Sequence, residues 1–249
     1  MADESGAEHY VGDELELFQH CTNWKASIAR QIRPFLGSRV LEVGAGLGGT
    51  TSVLLADGVG GVQQWDCLEP DAGLCAQIEQ KVASGELPSI CRARVGTLTD
   101  LDPDERYDTV LYVDVLEHIE DDAGEMRAAV ARLAPGGRVV VLSPAYQWLF
   151  SPFDAAIGHY RRYSRRTLLA VSPPGARLLR FRYLDSVGVM ASGANRFLMK
   201  QGMPTPQQLR FWDKVLVPMS RWIDPLVLHL FGKTVIGIWE RSAEPGGSS

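Results

Sequence analysis

Between residues 39 and 142 the chain repeats one pattern: a short apolar run rich in β-branched residues, then a stretch with helical spacing. Runs such as Val139-Val140-Val141-Leu142 carry no charge, which suits strands covered on both faces by helices. This alternation restricts the fold to an α/β sheet with helices on both sides. Strands are expected at Arg39–Val43, Gln64–Leu68, Cys91–Val95, Tyr107–Val113 and Arg138–Leu142, with weaker ones at Leu178–Leu184 and Thr234–Glu240. Helices are expected near Leu15–Pro34 and over Gly48–Ala56, Ala72–Ser84, Ala123–Leu133 and Arg165–Val171.

At 249 residues one domain can hold all of these elements. It is expected to span residues 14–241, between a flexible N-terminus (1–13) and a flexible tail (242–249). Two stretches break the alternation. One is the aromatic, arginine-rich segment from Ser143 to Arg166. The other, residues 186–233, is expected to be a helical lid insertion. Open α/β sheets bind ligands beyond the carboxyl ends of their strands, so both segments are candidates for substrate recognition.

The first strand runs into Gly44-Ala45-Gly46-Leu47-Gly48-Gly49. Glycines suit a sharp turn whose backbone must approach a ligand without a Cβ in the way. Alone, the pattern fits a nicotinamide dehydrogenase equally well, or a tight turn with no ligand. Glu69 lies just past the second strand, about 20 residues on, where a carboxylate can accept hydrogen bonds from ribose hydroxyls. Glu42, ending the first strand, has little business near a pyrophosphate but can help hold a cationic amino-acid moiety. That favours S-adenosylmethionine over NAD.

Four segments then follow in order: VLEVGAGLGGTT, LEPD, YDTVLYVDVLEHIEDD and LAPGGRVVVLSP. Together they resemble the successive motifs of class I S-adenosylmethionine-dependent methyltransferases. The resemblance implies a Rossmann-like, seven-stranded, mostly parallel sheet with an antiparallel last strand. It also implies that Gly44, Ala45 and Gly46 pass along the methionine part and ribose, and that Glu69 and Pro70 border the ribose. Thr97 and Leu98 would flank the adenine, where many members carry an Asp that this chain lacks. Asp114, Val115 and His118 would line the cofactor near its sulfonium. The lead-in Phe18…Asn23-Trp24 and the segment PAYQWLFSPFDAAIGHYRRYSRRTL resemble a bacterial small-molecule subgroup with a GHxRRY segment; Trp24 is a candidate cofactor neighbour, or part of the lid's opposite side with Phe18, or core, and Tyr146 is a candidate at the substrate.

Ser151-Pro152-Phe153-Asp154 reads as a helix start, with Gly158 as its stop and Ser164 capping the next helix. The turn between them presents Asp154, His159, Tyr160, Arg161 and Arg162. His159, with an ordinary pKa of about 6.5, could serve as a base for a hydroxyl or ammonium acceptor, or only hold the loop. Asp154 and Tyr160 are its expected companions in catalysis, although Asp154 also suits a structural role. Arg161 or Arg162 could pair with an anionic substrate group, with Arg165 and Arg166 in solvent. The group Asp114, Glu117, His118, Asp121 and Asp122 invites a metal reading, but acids suit a positive helix end and no metal is expected.

A formal net charge of −5 argues against electrostatic nucleic-acid binding. The four cysteines show no metal-ligand spacing and read as reduced thiols. The N-terminus does not resemble a leader, and no run of about 18 apolar residues occurs, so a cytoplasmic location is expected. The expected function is O- or N-methylation of a small polar molecule such as a sugar-containing or secondary metabolite, by a monomer or homodimer with peripheral membrane contact as an option. Carbon methylation, an RNA or protein substrate, and a cyclase that transfers no methyl are the alternatives.

Overall fold

The computed structural model describes residues 21–58, 60–198 and 205–242. The expectations for residues 1–13, Phe18, the start of the N-terminal helix and residues 243–249 lie outside them. One seven-stranded sheet organises the described residues, in the order β3-β2-β1-β4-β5-β7-β6. Its strands are β1 (Arg39–Val43), β2 (Gln64–Glu69), β3 (Cys91–Val95), β4 (Tyr107–Val113), β5 (Leu133–Pro144), β6 (Ala176–Leu184) and β7 (Thr234–Arg241). The strands β1 to β5 pair in parallel, while β7 runs antiparallel to both of its neighbours. The Rossmann-like expectation is met.

Period-2 alternation divides the strands between two cores. Val40, Leu111, Val140, Leu142 and Ile236 pack with helices α1 (Thr22–Ile32), α2 (Gly49–Leu55) and α3 (Ala72–Ala83). Their neighbours Leu41, Val110, Val139, Val141 and Val235 pack with α4 (Asp122–Ala131) and α6 (Arg165–Ala170) on the other face. At about 25 cal/mol per Å² of apolar area, these two interfaces supply most of the fold's drive to collapse.

Where boundaries moved, local chemistry explains it. Pro34 ends α1 early, and the chain continues as a 3₁₀ turn over Arg33–Phe35. The fourth helix stops at Ala131 rather than Leu133, because Leu133 pairs with Tyr107 and starts β5. That strand therefore extends beyond the expected five residues at both ends.

Beyond β5 lies α5 (Pro152–Ala156), whose Ser151 and Asp154 form a reciprocal capping box. Gly158 follows it with φ +83, a left-handed stop that a Cβ would strain. Between β6 and β7 sit α7 (Ser186–Leu198), α8 (Pro206–Phe211), a π turn at Trp212–Leu216, and α9 (Val217–Leu226). Three buried aspartates fasten this insertion. Asp224 accepts from the Asp185 and Ser186 amides at the start of α7. Asp185 accepts from Trp212 Nε1 and Ser220 Oγ, both at 2.7 Å. Asp213 takes the Asn23 and Trp24 amides, capping α1 where Cys21 offers no side-chain cap. Among the described residues no helix is long and apolar enough to cross a membrane.

Candidate active site

The sheet order reverses between β1 and β4, so their carboxyl ends open a crevice. The turn after β1 forms one wall. Gly44 has φ +65, and its amide donates to the Leu68 carbonyl at 2.8 Å. A Cβ there would lie 2.6 Å from Val115 Cγ2, so only glycine lets the loop pass this close to the end of β4. The Gly46 amide donates to Glu69 Oε2 at 2.8 Å, and the Asp71 amide donates to Oε1. Glu69 therefore ties the glycine turn to the end of β2. Each of its oxygens keeps a further lone pair for a ligand hydroxyl.

Glu42 is buried behind the turn, where Oε2 accepts from Thr51 Oγ1 at 2.5 Å and from Trp65 Nε1 at 2.9 Å. Burial pushes its carboxyl up to about 7, the two hydrogen bonds only partly opposing it. Beyond β3, Thr97 is engaged with Asp100 in a capping box and Leu98 is buried in the core.

The second wall follows β4. Asp114 has φ +55, a left-handed conformation costly for a residue with a side chain. Asp114 and His118 reach solvent, yet protein packs densely around both. Side chains in that situation lie at the floor of a cleft. Burial raises the Asp114 carboxyl to about 6 against the pull of His159, Lys233 and Arg162. Burial and the neighbouring His159 lower His118 to about 4.

The turn after α5 closes onto this floor. Asp154 is wholly buried and receives Arg162 as a fork, Nε at 2.7 Å and Nη2 at 3.0 Å. His159 Nδ1 lies 3.1 Å from Asp154 Oδ1, and His159 Nε2 lies 3.9 Å from Glu117 Oε1. Burial alone would raise Asp154, but His159, Arg162 and Ser151 together hold it well below the usual carboxylate range. Glu117 has the opposite fate: full burial and the nearby Asp114 drive its carboxyl far up. A second, apolar pocket of about 360 Å³ lies alongside, lined by Tyr146, Trp148, Val189, Met190, Gly193 and Phe231. Tyr146, at φ +65, stacks on Tyr183 with ring centroids 5.1 Å apart.

Residues 41–139 match the family model described as a methyltransferase domain. Those residues form a methyltransferase domain within the seven-stranded sheet. A ubiquinone biosynthesis O-methyltransferase of Paramagnetospirillum magneticum is 38% identical over 109 residues, covering 43% of this chain and 40% of that protein. The chain matches less than half the length of its curated relatives. Among solved structures, a geranyl diphosphate methyltransferase superposes with a TM-score of 0.60 at 14% identity, over 86% of this chain and 78% of its own. A [4+2]-cyclase superposes with a TM-score of 0.61 at 14% identity, over 88% and 81%. Both show the shared fold.

Eight of the residues singled out from the sequence meet at the crevice. Gly44, Ala45, Gly46 and Glu69 form one wall; Asp114, Val115, His118 and His159 form the other. Pro70 is exposed at the rim. Trp24 packs in the core with its ring 5.5 Å from Trp212, so the N-terminal lead-in and the insertion share one surface. Arg161 turns outward, paired with Asp122 at 2.5 Å and lying over the exposed Tyr160 ring. The insertion also turns Trp222, Leu226, Leu228 and Leu230 toward solvent. The four cysteines are buried and free of disulfides.

Lys233 was not anticipated. It lies over the Trp212 ring at 4.8 Å, and burial lowers its ammonium against the favourable charges of Asp185, Asp154 and Asp114. The signal was available: an antiparallel β7 begins at the same sheet edge where the parallel strands end, so its first residues face the site.

Proposed function

We propose that this chain methylates an oxygen of a small-molecule acceptor whose reacting end is polar and whose body is apolar or aromatic. The observation that carries the reading is the crevice itself, with the Glu69-tethered glycine turn facing the Asp114–His159 wall and an apolar pocket alongside. The residues present fit S-adenosylmethionine, because Gly44 and Gly46, both at positive φ, turn the backbone tightly at the mouth of the crevice and leave no side chain there. Glu69 borders the turn with lone pairs suited to ribose hydroxyls, and Glu42 stands buried behind it, where its carboxylate would answer an ammonium. When bound, S-adenosylmethionine supplies a methyl group activated by a positive sulfur.

The protein's task is then to align the acceptor oxygen, exclude water and let a proton leave. Gly44, Gly46 and Glu69 would hold the cofactor so that its methyl group faces the acceptor oxygen, whose proton would pass on to solvent. Tyr146, Trp148 and Phe231 would hold the acceptor body, which narrows the polar acceptor expected from sequence. Lys233 balances the buried acids beside it. The similarity to O-methyltransferases of ubiquinone biosynthesis supports oxygen over nitrogen or carbon.

Calorimetric titration of the purified chain with S-adenosylmethionine and separately with NADH tests the reading. Binding of the first alone is expected, weakened roughly tenfold or more in Glu69→Ala, which removes charge-assisted bonds worth about 1.5–3 kcal/mol. Transfer of labelled methyl to phenolic acceptors, and not to matched amines, would complete it. Binding of NADH alone would sink it, and binding without transfer to any acceptor would favour the cyclase alternative.

A further inference from the structure

Sequence alone separates His159 from Glu117 and His118 by about forty positions, and the fold brings the three together. One ligand-capable atom from each lies within 4.8 Å of those of the other two. The His118 and His159 rings meet edge to face with centroids 4.4 Å apart. We propose that Glu117, His118 and His159 bind a divalent transition cation, with Zn²⁺ or Mn²⁺ as the class, at the acceptor end of the crevice.

Two observations point to a ligand rather than to a packed core. Glu117 is completely buried, and its carboxylate oxygens make no hydrogen bond of ordinary distance and angle, with only the Ser143 hydroxyl and its own backbone amide as loosely placed donors beside them. A buried carboxyl without well-placed partners costs several kcal/mol by general estimates, so such a group is retained where something else completes it. The second observation is the support behind the histidines. His159 Nδ1 is hydrogen-bonded to Asp154, itself fixed by the Arg162 fork and by Ser151. Asp154 holds the proton on Nδ1 and leaves the Nε2 lone pair directed toward Glu117. One nitrogen of His118 is likewise bonded to the Ile157 carbonyl. Carboxylate or carbonyl support on one nitrogen, with the other free, is how metal-ligating histidines are oriented.

The dimensions agree. Ligands at about 2.0–2.2 Å from a common ion stand roughly 3–4 Å apart. The Glu117–His159 pair, at 3.9 Å, already does, and no pair of the three ligand atoms exceeds 4.8 Å. Two imidazoles and one carboxylate suit Zn²⁺ or Mn²⁺ better than Mg²⁺, and three protein ligands leave positions open. An acceptor hydroxyl in an open position would lose its proton to solvent more readily, as metal-bound water does. That last role rests on the function proposed above, whereas the binding itself does not.

The full chain, stripped by dialysis against chelator, would be titrated with Zn²⁺ by calorimetry and with Mn²⁺ by electron paramagnetic resonance of the free ion. One equivalent is expected to bind, weakened about tenfold or more in His159→Ala, His118→Ala and Glu117→Gln. Thermal unfolding of each variant reports its fold, and exposed His118 supplies a readout should substitution of buried Glu117 prevent folding. No binding to the wild type, or binding that all three variants retain, overturns the site. S-adenosylmethionine binding on the same stripped sample separates this failure from that of the proposed function. If His159→Ala shifts the pH profile of methyl transfer while no metal binds, His159 is a base and the site is overturned.

Discussion

Replacing Arg162 with Met should destabilise the protein by about 3–5 kcal/mol at neutral pH, the cost of leaving one member of a buried ion pair behind. Arg162 places both fork nitrogens on Asp154, whose side chain has only 1% of its surface exposed. Ser151 and His159 remain as partners, but neither brings a permanent charge. Asp154 lies below its ordinary pKa in the folded protein, so its contribution is present at neutral pH and lost as pH falls into the acid range. The Arg162→Met penalty should shrink on acidification for the same reason. Arg162→Lys restores charge without the fork and should recover only part of the loss. The double variant Asp154→Asn with Arg162→Met should be more stable than Arg162→Met alone, because no unpaired charge remains. Urea unfolding of the four proteins measures this. A loss below about 1 kcal/mol, or strictly additive effects, would mean the pair contributes no more than an exposed salt bridge.

The architecture could be read from the sequence because its signals are local. Short apolar runs mark the first five strands, and several helix starts carry their own cap, as at Asp71, Ser151 and Ser164. What moved was decided at a distance. Leu133 looks like the end of a helix until Tyr107 is seen beside it. The insertion between β6 and β7 reads as apolar helix, but its attachment through Asp185, Asp213 and Asp224 depends on partners up to 190 positions away.

The site divides along the same line. Glu42 and Glu69 sit at the carboxyl ends of β1 and β2, and Gly44 and Asp114 directly follow β1 and β4, positions that local pattern makes legible. Arg161 and Arg162 are adjacent and chemically identical, and nothing local states that one pairs outward with Asp122 while the other turns inward onto Asp154. The expected acid, base and aromatic companions on the turn after β5 prove to be unequal. Asp154 and His159 are joined to Glu117, whereas the Tyr160 ring is 52% exposed. Thr97 and Leu98 show the limit of transferring a motif by position, since one is spent on its own turn and the other on the core.

Glu42→Gln should be as stable as the wild type near about pH 4 and more stable by roughly 3 kcal/mol near about pH 8. The sign follows from burial. Glu42 is neutral in the fold up to about 7, against an ordinary 4.5. A folded-state pKa above the unfolded one gives stability that is complete below the unfolded value and disappears as pH rises through the folded value. Glutamine keeps an acceptor for Thr51 Oγ1 and Trp65 Nε1 and never ionises, so it escapes the loss. The same substitution separates stability from binding. A cationic amino-acid group beside Glu42 would favour its ionised form, so cofactor binding at about pH 6 should release a proton. Titrations in buffers of different ionisation enthalpy would detect that proton in the wild type and not in Glu42→Gln. The variant should therefore be the sturdier protein and the weaker binder at neutral pH. If it gains stability but binds S-adenosylmethionine unchanged, Glu42 supports the turn and the ammonium lies elsewhere; if it gains none, the carboxylate is ionised in the fold.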